Sequence, residues 1–336
     1  MSWAELGRDL GFAVGVLRRR PFSVLLQVTN RCNMACDFCS FWSNGAHPKE
    51  ELTLADFERL EADLSKVGRF AVSIEGGEPF VRPDLLDIVE IFSRRHLTIL
   101  FTNGWHVTEE NARLLFDRGL NQVGVSIDFP DAARHDAKRR KKEAWTRAWR
   151  AVDHFRDAAK NGQRQVQVMT VYMDENRGDL AALLAQSAER GVGHTVTLLA
   201  TGGTYRADGG EWPSDKVSDH LVALWKAFPH FSVPRRYLEL IDPFLAQEGM
   251  PTCRAGIQSF NVDHLGNVSP CIEKIGQPVG NVREAPLATL LDRMRDLDDV
   301  KTCQDCWTLC RGVAQLWGQG GSVSAWRDMF GRMRAR

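Results

Sequence analysis

Six short β-rich runs, each followed by a longer stretch in which helical patterning dominates, limit what this chain can fold into more than any other feature. The runs are FSVLLQVT from Phe22, RFAVSIE from Arg69, LTILFTN from Leu97, NQVGVSID from Asn121, RQVQVMTVY from Arg164 and HTVTLLA from His194. Between them lie helical patterns such as LADFERLEADLSKVG, opened by Thr53, and the stretch from Glu143 through Lys160. Strand–helix units in series imply a parallel sheet with helices outside it, and right-handed crossovers make an open or partly closed barrel the natural result. The predicted fold is therefore α/β: a partial (β/α)6 parallel barrel over residues 21–205, then a connector over 206–250. A small cysteine-rich domain over 251–315 and a helical tail over 316–336 follow. Residues 1–20 read as an amphipathic helix, with Leu6, Leu10, Val14 and Leu17 at helical spacing and Arg18, Arg19 and Arg20 at its negative pole.

With 336 residues and 43% apolar composition, the chain can bury a full core. Its formal net charge is zero, which gives no global argument for nucleic acid as a partner. The five cations from Lys138 to Lys142 read as a solvated helix start rather than a nucleic-acid contact. No apolar run is long enough to span a bilayer, and the N-terminus lacks a secretory h-region and cleavage site, so a cytoplasmic protein is expected.

The eight cysteines divide as three plus five: Cys32, Cys36 and Cys39, then Cys253, Cys271, Cys303, Cys306 and Cys310. A reducing compartment and this clustering favour two metal sites over disulfides. Cys32-x-x-x-Cys36-x-x-Cys39 puts three thiolates in one loop. A four-iron cubane held by three thiolates leaves one iron open to chelate a small molecule. Structural zinc is the competing reading and wants a fourth ligand, for which only His47 lies nearby, without finger-like spacing.

Ligands of parallel α/β folds bind at the C-terminal ends of strands. Cys32 follows the first run, Gly76-Gly77-Glu78-Pro79 the second, Thr102-Asn103-Gly104 ends the third, and Ser126 and Asp128 end the fourth. Singly, each is an ordinary turn or strand residue. Together they define one polar rim.

The run VTNRCNMACDFC resembles the radical S-adenosylmethionine (SAM) signature, CxxxCxxC with an aromatic residue, Phe38, before the last cysteine. The resemblance covers about Phe22 to Thr201 and resumes in the cysteine-rich region. It implies that Gly76, Gly77 and Glu78, in a GGEP motif, bind the SAM amino group, and a carboxylate does complement an ammonium. It further implies SAM contacts from Asn103, Ser126 and Asp128, the last as a ribose ligand, and from Arg139 of His135-Asp136-x-x-Arg139 toward the SAM carboxylate. The chain departs from the family in having Arg140 where Gly is usual, and Phe129-Pro130 after Asp128.

In the second group, Asp263 to Val268 reads as a hairpin that brings Cys253 and Cys271 together. The pattern resembles the SPASM and shorter twitch auxiliary-cluster domains. Five cysteines instead of seven imply one auxiliary [4Fe–4S] cluster, with Cys253, Cys271, Cys303 and Cys306 the preferred ligands and Cys310 a competitor; zinc is again the alternative.

The implied chemistry is reductive cleavage of SAM, with flavodoxin or ferredoxin as electron donor, and hydrogen abstraction from an unactivated C–H bond. The auxiliary cluster would assist oxidation or bind substrate. The expected substrate is a small molecule or a lipid-linked one. Maturation of a ribosomal peptide or protein side chain is the alternative, disfavoured because the segment before Pro21 is too short for a leader-binding domain. An iron–sulfur electron carrier or binding protein without SAM chemistry is the reading from another class. The basic amphipathic N-terminus and the Trp/Arg tail raise peripheral membrane contact as a further expectation. Tyr172, Tyr205 and His194 read as scaffold, and no general base is assigned.

Overall fold

A computed structural model describes residues 3–18, 20–159, 164–203, 206–295 and 297–318. The six predicted strands form as β1 (Ser23–Thr29), β2 (Ala71–Gly76), β3 (Leu97–Thr102), β4 (Gln122–Ser126), β5 (Gln165–Tyr172) and β6 (Gly193–Leu198). The intervening helices are α2 (Leu54–Val67), α3 (Leu85–Ser93), α4 (Glu109–Asp117), α5 (Ala132–Arg139), α6 (Ala144–Ala158) and α7 (Leu180–Glu189), with α1 (Trp3–Leu17) before them. All six strands run parallel in the order β6-β5-β4-β3-β2-β1.

Period-2 alternation decides which residues face the helices. Val24, Leu26, Val72, Ile74, Leu100, Val123, Val125, Val166 and Val168 share one face, and they pack in a single core against Phe57, Leu60, Phe92, Phe116, Trp149 and Phe155. Thr53 opens α2 as its sequence suggests, with its side chain and that of Asp56 closing a reciprocal capping box. The opposite, inner face of the sheet is polar. Gln27, Glu75 and Gln167 lie on it, and buried side-chain atoms of all three lack a protein partner. Orphaned polar atoms on a curved inner wall belong to a surface that contacts ligand or water.

The cysteine-rich region is less separate than its sequence suggests. Strand β7 (Ser259–Val262) pairs parallel with β1, in register Leu25↔Asn261, and β8 (Asn267–Ser269) and β9 (Gly280–Asn281) extend the sheet to nine strands. Arg283 fastens this extension to the barrel by donating to Asp56 (3.0 Å) and to the Glu51 carbonyl (3.0 Å).

Two further clusters close the barrel. At the N-terminal ends of the strands, Phe12 and Val16 of α1 pack with Phe22, Ala314 and Trp317, and Ala71 and Leu97 border them. Beside β6, Tyr237 stacks on Trp307 (5.7 Å between centroids), accepts from Leu198 N (2.9 Å) and donates to the Trp307 carbonyl. That anchor returns the last three cysteines to the sheet, where Leu309 N donates to Thr197 Oγ1 (3.0 Å). His194 is buried between Thr170 Oγ1 and Ser187 Oγ and Tyr172 is buried, both as scaffold, whereas Tyr205 and the tail from residue 319 lie outside the described residues.

Candidate functional site

The loop holding the first cysteines is fixed at its base by a buried charge network. Arg31 donates twice to Glu51 (2.9 Å each), Thr29 also bonds Glu51, and Arg82 donates to the Val28 and Leu52 carbonyls and to Asp84. Beyond this base the thiols of Cys32, Cys36 and Cys39 pack with Met34, Phe38, Met173 and Leu199. Burial pushes the Cys32 thiol up to about 11 and the Cys36 thiol up to about 12, with Arg139 opposing both. In the metal-free chain both are thus protonated, and a metal must displace those protons. His47, the candidate fourth zinc ligand, is exposed, and its Nδ1 accepts from Lys49 N.

Gly76 and Gly77 have a steric duty that the sequence did not reveal. A Cβ would lie 2.0 Å from the Thr29 carbonyl oxygen at Gly76, where φ is +128°, and 2.2 Å from that of Arg31 at Gly77. Lacking Cβ atoms, they let Gly77 N and Glu78 N donate to those same oxygens (2.8 and 2.9 Å). The close approach is therefore to the strand leading into Cys32. Glu78 is buried and accepts from Phe80 N (3.1 Å), Thr102 Oγ1 (2.7 Å) and Asn103 N (2.7 Å). Burial raises its carboxyl to about 7, while the bonds from Asn103, Thr102 and Phe80 pull the other way. Three of a carboxylate's roughly four acceptor sites are occupied, which leaves one for an ammonium. Asn103 Nδ2 donates to Asn33 Oδ1 (2.8 Å) and lies 4.0 Å from Cys32 Sγ, so this rim and the cysteine loop are one bonded unit. Ser126 ends β4, partly exposed.

Asp128 and Arg139, which the sequence gives separate duties, are each other's partner. Arg139 donates to Asp128 Oδ2 through Nε (2.9 Å) and Nη2 (2.6 Å), Val171 N donates to Oδ1 (3.0 Å), and both side chains are buried. The guanidinium lies 5.7 Å from the centroid of the Phe38 ring, beside the thiols. Nor is the Lys138–Lys142 run wholly solvated: Lys138 is also buried, paired with Glu175 (2.6 Å) and Asp37 (3.4 Å). Arg140 closes α5 in the left-handed region, at φ 48° and ψ 40°, a conformation that costs a residue with a Cβ about 1 kcal/mol. Arg140→Gly is expected to raise the stability read from urea unfolding by up to about 1 kcal/mol.

The second group converges as predicted. Cys253, Cys271, Cys303, Cys306 and Cys310 all line one cavity, with Leu25 and Ser259 of the sheet and Arg311. Arg311 organises the Cys303–Cys306 loop by donating to the Cys306 (2.5 Å), Cys303 (3.4 Å) and Pro251 (3.3 Å) carbonyls. Cys310 differs from the other four in being the most open to solvent, although protein surrounds it and burial pushes its thiol up to about 12. Both descriptions hold for a side chain facing an internal space.

Three residues absent from the sequence-based site occupy the ground between the two groups. Arg206 pairs its backbone with Cys39, and its guanidinium donates through two nitrogens to Glu273 (Nε to Oε2, 3.0 Å), two residues after Cys271. Glu75, on the inner face of β2, has a buried Oε1 with no partner. Burial raises its carboxyl to about 7, Arg206 opposing and Glu273 assisting. A charge at an inward strand position was a readable sign for Glu75; Arg206, in a stretch read as connector, carried none.

The sign of that shift gives a prediction. The folded chain holds a proton that the unfolded chain releases, so the destabilisation from Glu75 is absent in acid and grows as pH climbs toward 7. Glu75→Gln is expected to change stability little near about pH 5 and to raise it by about 1–3 kcal/mol near about pH 8. Urea unfolding at both pH values checks this; equal effects would show that the carboxyl does not titrate there.

Comparison with known proteins turns on the same two regions. Residues 26–186 match the Radical SAM superfamily, and residues 253–307 match the SPASM iron–sulfur cluster-binding domain. The chain belongs to the radical SAM superfamily. The SPASM match spans Cys253, Cys271, Cys303 and Cys306 and stops before Cys310. The AdoMet-dependent heme synthase of Nitratidesulfovibrio vulgaris is 29% identical over 320 residues, 84% of this chain and 82% of that protein. The mycofactocin maturase MftC of Mycolicibacterium smegmatis is 29% identical over 184 residues, 54% of this chain and 46% of that protein. Streptococcus suis SuiB bound to precursor peptide SuiA shares the fold, with a TM-score of 0.64 at 17% identity over 87% of this chain and 70% of that one.

Membership brings SAM and a [4Fe–4S] cluster as cofactors, with auxiliary iron–sulfur binding in the C-terminal region. The residues present fit them. Among the described residues no three His, Cys, Asp or Glu side chains converge as they would on a single ion, so the fit rests on the donor set. It comprises three thiols in one apolar-walled loop, and five thiols around one cavity.

Proposed function

We propose that this chain is a radical SAM maturase that removes a hydrogen atom from a peptide or protein side chain and completes an oxidation there. The observation that carries the reading is the position of Arg206. Its backbone pairs with Cys39, its side chain is held by Glu273 of the auxiliary region, and its charge acts on both Cys39 and Cys310. The two cysteine groups thus share one polar interior, and a substrate held there meets both. The relative named as a mycofactocin maturase and the fold shared with peptide-bound SuiB favour a peptide over the small or lipid-linked substrate first expected. A small molecule is the second reading, favoured by the heme synthase, which matches along most of both chains.

In this reading Cys32, Cys36 and Cys39 hold the SAM-binding cluster, and Gly76, Gly77, Glu78, Asn103 and Ser126 seat SAM. Bound there, the pair supplies one-electron cleavage of the sulfonium and, with it, hydrogen abstraction from an unactivated C–H bond. Phe38, Met34, Met173 and Leu199 keep water from the site. Asp128, whose carboxylate is committed to Arg139 and Val171, serves to aim Arg139. Cys253, Cys271, Cys303 and Cys306 would ligate one auxiliary cluster, which would accept the electron left on the substrate after hydrogen abstraction, and Cys310 is left facing substrate.

Anaerobically reconstituted protein given SAM and dithionite is expected to form 5′-deoxyadenosine. Adding cell lysate should raise the rate, and prior protease digestion of that lysate should abolish the rise. No 5′-deoxyadenosine from fully loaded protein would favour an electron carrier, and protease-resistant stimulation would favour the small molecule.

A further inference from the structure

The helix α1 has two apolar faces, and only one is used by the fold. Phe12 and Val16 are buried in the cap beneath the barrel, and Gly11 packs against Arg69, where a Cβ would sit 2.9 Å from Arg69 Cγ. On the other side Leu10, Val14 and Leu17 are 57%, 44% and 77% exposed. Their i, i+4, i+7 spacing makes them one stripe. Among the described residues Trp42 alone is a comparably exposed large apolar side chain elsewhere, so the stripe is a local concentration rather than ordinary surface.

Among the described residues the unpaired charges beside the stripe have one sign. Arg18 and Arg20 are exposed at its C-terminal end. Arg69 and Arg95 lie two residues before the first residues of β2 and β3, Ala71 and Leu97, which border the same cap. Phe70 N donates to Nδ1 of buried His96 (3.2 Å), which brings together Arg69 and Arg95, the residues preceding the two. None of these four arginines has a carboxylate partner among the described residues, whereas Asp9, the exposed acid on α1, has a partner of its own. An aliphatic stripe edged by unpaired guanidinium groups is the pattern of a helix lying in the headgroup layer of an anionic bilayer.

We propose that α1 and the arginines beside it form a docking face for an anionic lipid surface, with the helix lying in the interface. No helix among the described residues is long and apolar enough to span a membrane. The face lies at the N-terminal ends of the strands, while Cys32, Cys36 and Cys39 follow the C-terminal end of β1, about 20 Å away for a strand of this length. Docking there tethers the protein and leaves the barrel mouth turned from the lipid, so this inference stands apart from the substrate reading above.

The test is gradient flotation of the full-length protein with phosphatidylcholine vesicles, with and without phosphatidylglycerol. Wild type is expected to float with the anionic vesicles only and to be released by high salt. The variant Leu10→Ser/Val14→Ser/Leu17→Ser should bind at least about 10-fold less, with its far-UV circular dichroism and iron content unchanged; Arg18→Glu/Arg95→Glu should act likewise. Wild type that stays with the unbound fraction would overturn the proposal. Equal flotation of the triple variant would do the same by moving the contact to the segment after residue 318. So would a wild-type dimer that the triple variant converts to monomer, which would assign the stripe to a second copy.

Discussion

Cys36→Ala is expected to abolish SAM cleavage while leaving the fold intact. Cys36 packs in the small cluster around Phe38 and contributes nothing to the main core between sheet and helices, so its loss leaves barrel packing untouched. What it removes is one of three donors, and two thiolates from one loop do not hold a cubane against solvent. Iron in the reconstituted chain should fall from about eight to about four atoms. The rate of 5′-deoxyadenosine formation should fall on the order of 10³-fold or more. Cys306→Ala should remove the other four irons and leave uncoupled SAM cleavage largely in place. Cys310→Ala then decides the disputed ligand: unchanged iron would leave that thiol facing substrate, and a loss of about four would place it in the auxiliary site. Zinc, rather than iron, in anaerobically purified wild type would overturn the assignment of the first loop.

Much of this architecture was legible because most of the six strands alternate apolar and polar residues in short runs, and the first four runs lead into a polar motif. Val72 and Ile74 had to face helices, which left Ser73 and Glu75 for the inner wall. Thr53 opened α2 because its hydroxyl and the Asp56 carboxylate satisfy each other's backbone neighbours, a local effect that needs no tertiary knowledge. The hairpin linking Cys253 to Cys271 was readable for the same reason.

Long-range pairing was not. Nothing in the four residues of Ser259–Val262 says that they add to β1, because strand partners are chosen by the whole barrel closing around its open edge. Burial of cations was equally hidden. Five consecutive basic residues look alike in a sequence, yet Lys138 and Arg139 fall on the face of α5 that meets Asp37 and Asp128, and Arg140 ends the helix. Arg206 was invisible because a single basic residue in a Gly-rich stretch acquires meaning only once Glu273 is beside it.

Asp128→Ala is expected to destabilise the chain by about 3–5 kcal/mol, the largest stability effect of any single substitution in the site. Most of that is not the worth of the ion pair, since desolvating two charges offsets much of their attraction. It is the cost of leaving the Arg139 guanidinium buried with no carboxylate, plus Val171 N without its acceptor. Asp128→Asn keeps the shape and an acceptor oxygen, so it should cost less, while still leaving the cation unneutralised. The decisive measurement is a double-mutant cycle with Arg139→Met. If the pair is held as described, Asp128→Ala/Arg139→Met should be more stable than Asp128→Ala alone, because the second change removes the stranded charge. Arg139 also lies over the Phe38 ring beside Cys32 and Cys36. Stability recovered in the double variant should therefore come without recovery of SAM cleavage, which separates what Asp128 does for the fold from what it does by aiming Arg139 at the cysteine loop. Additive losses in stability would mean that the two side chains act independently, and Asp128 would then have no claim as a positioning residue.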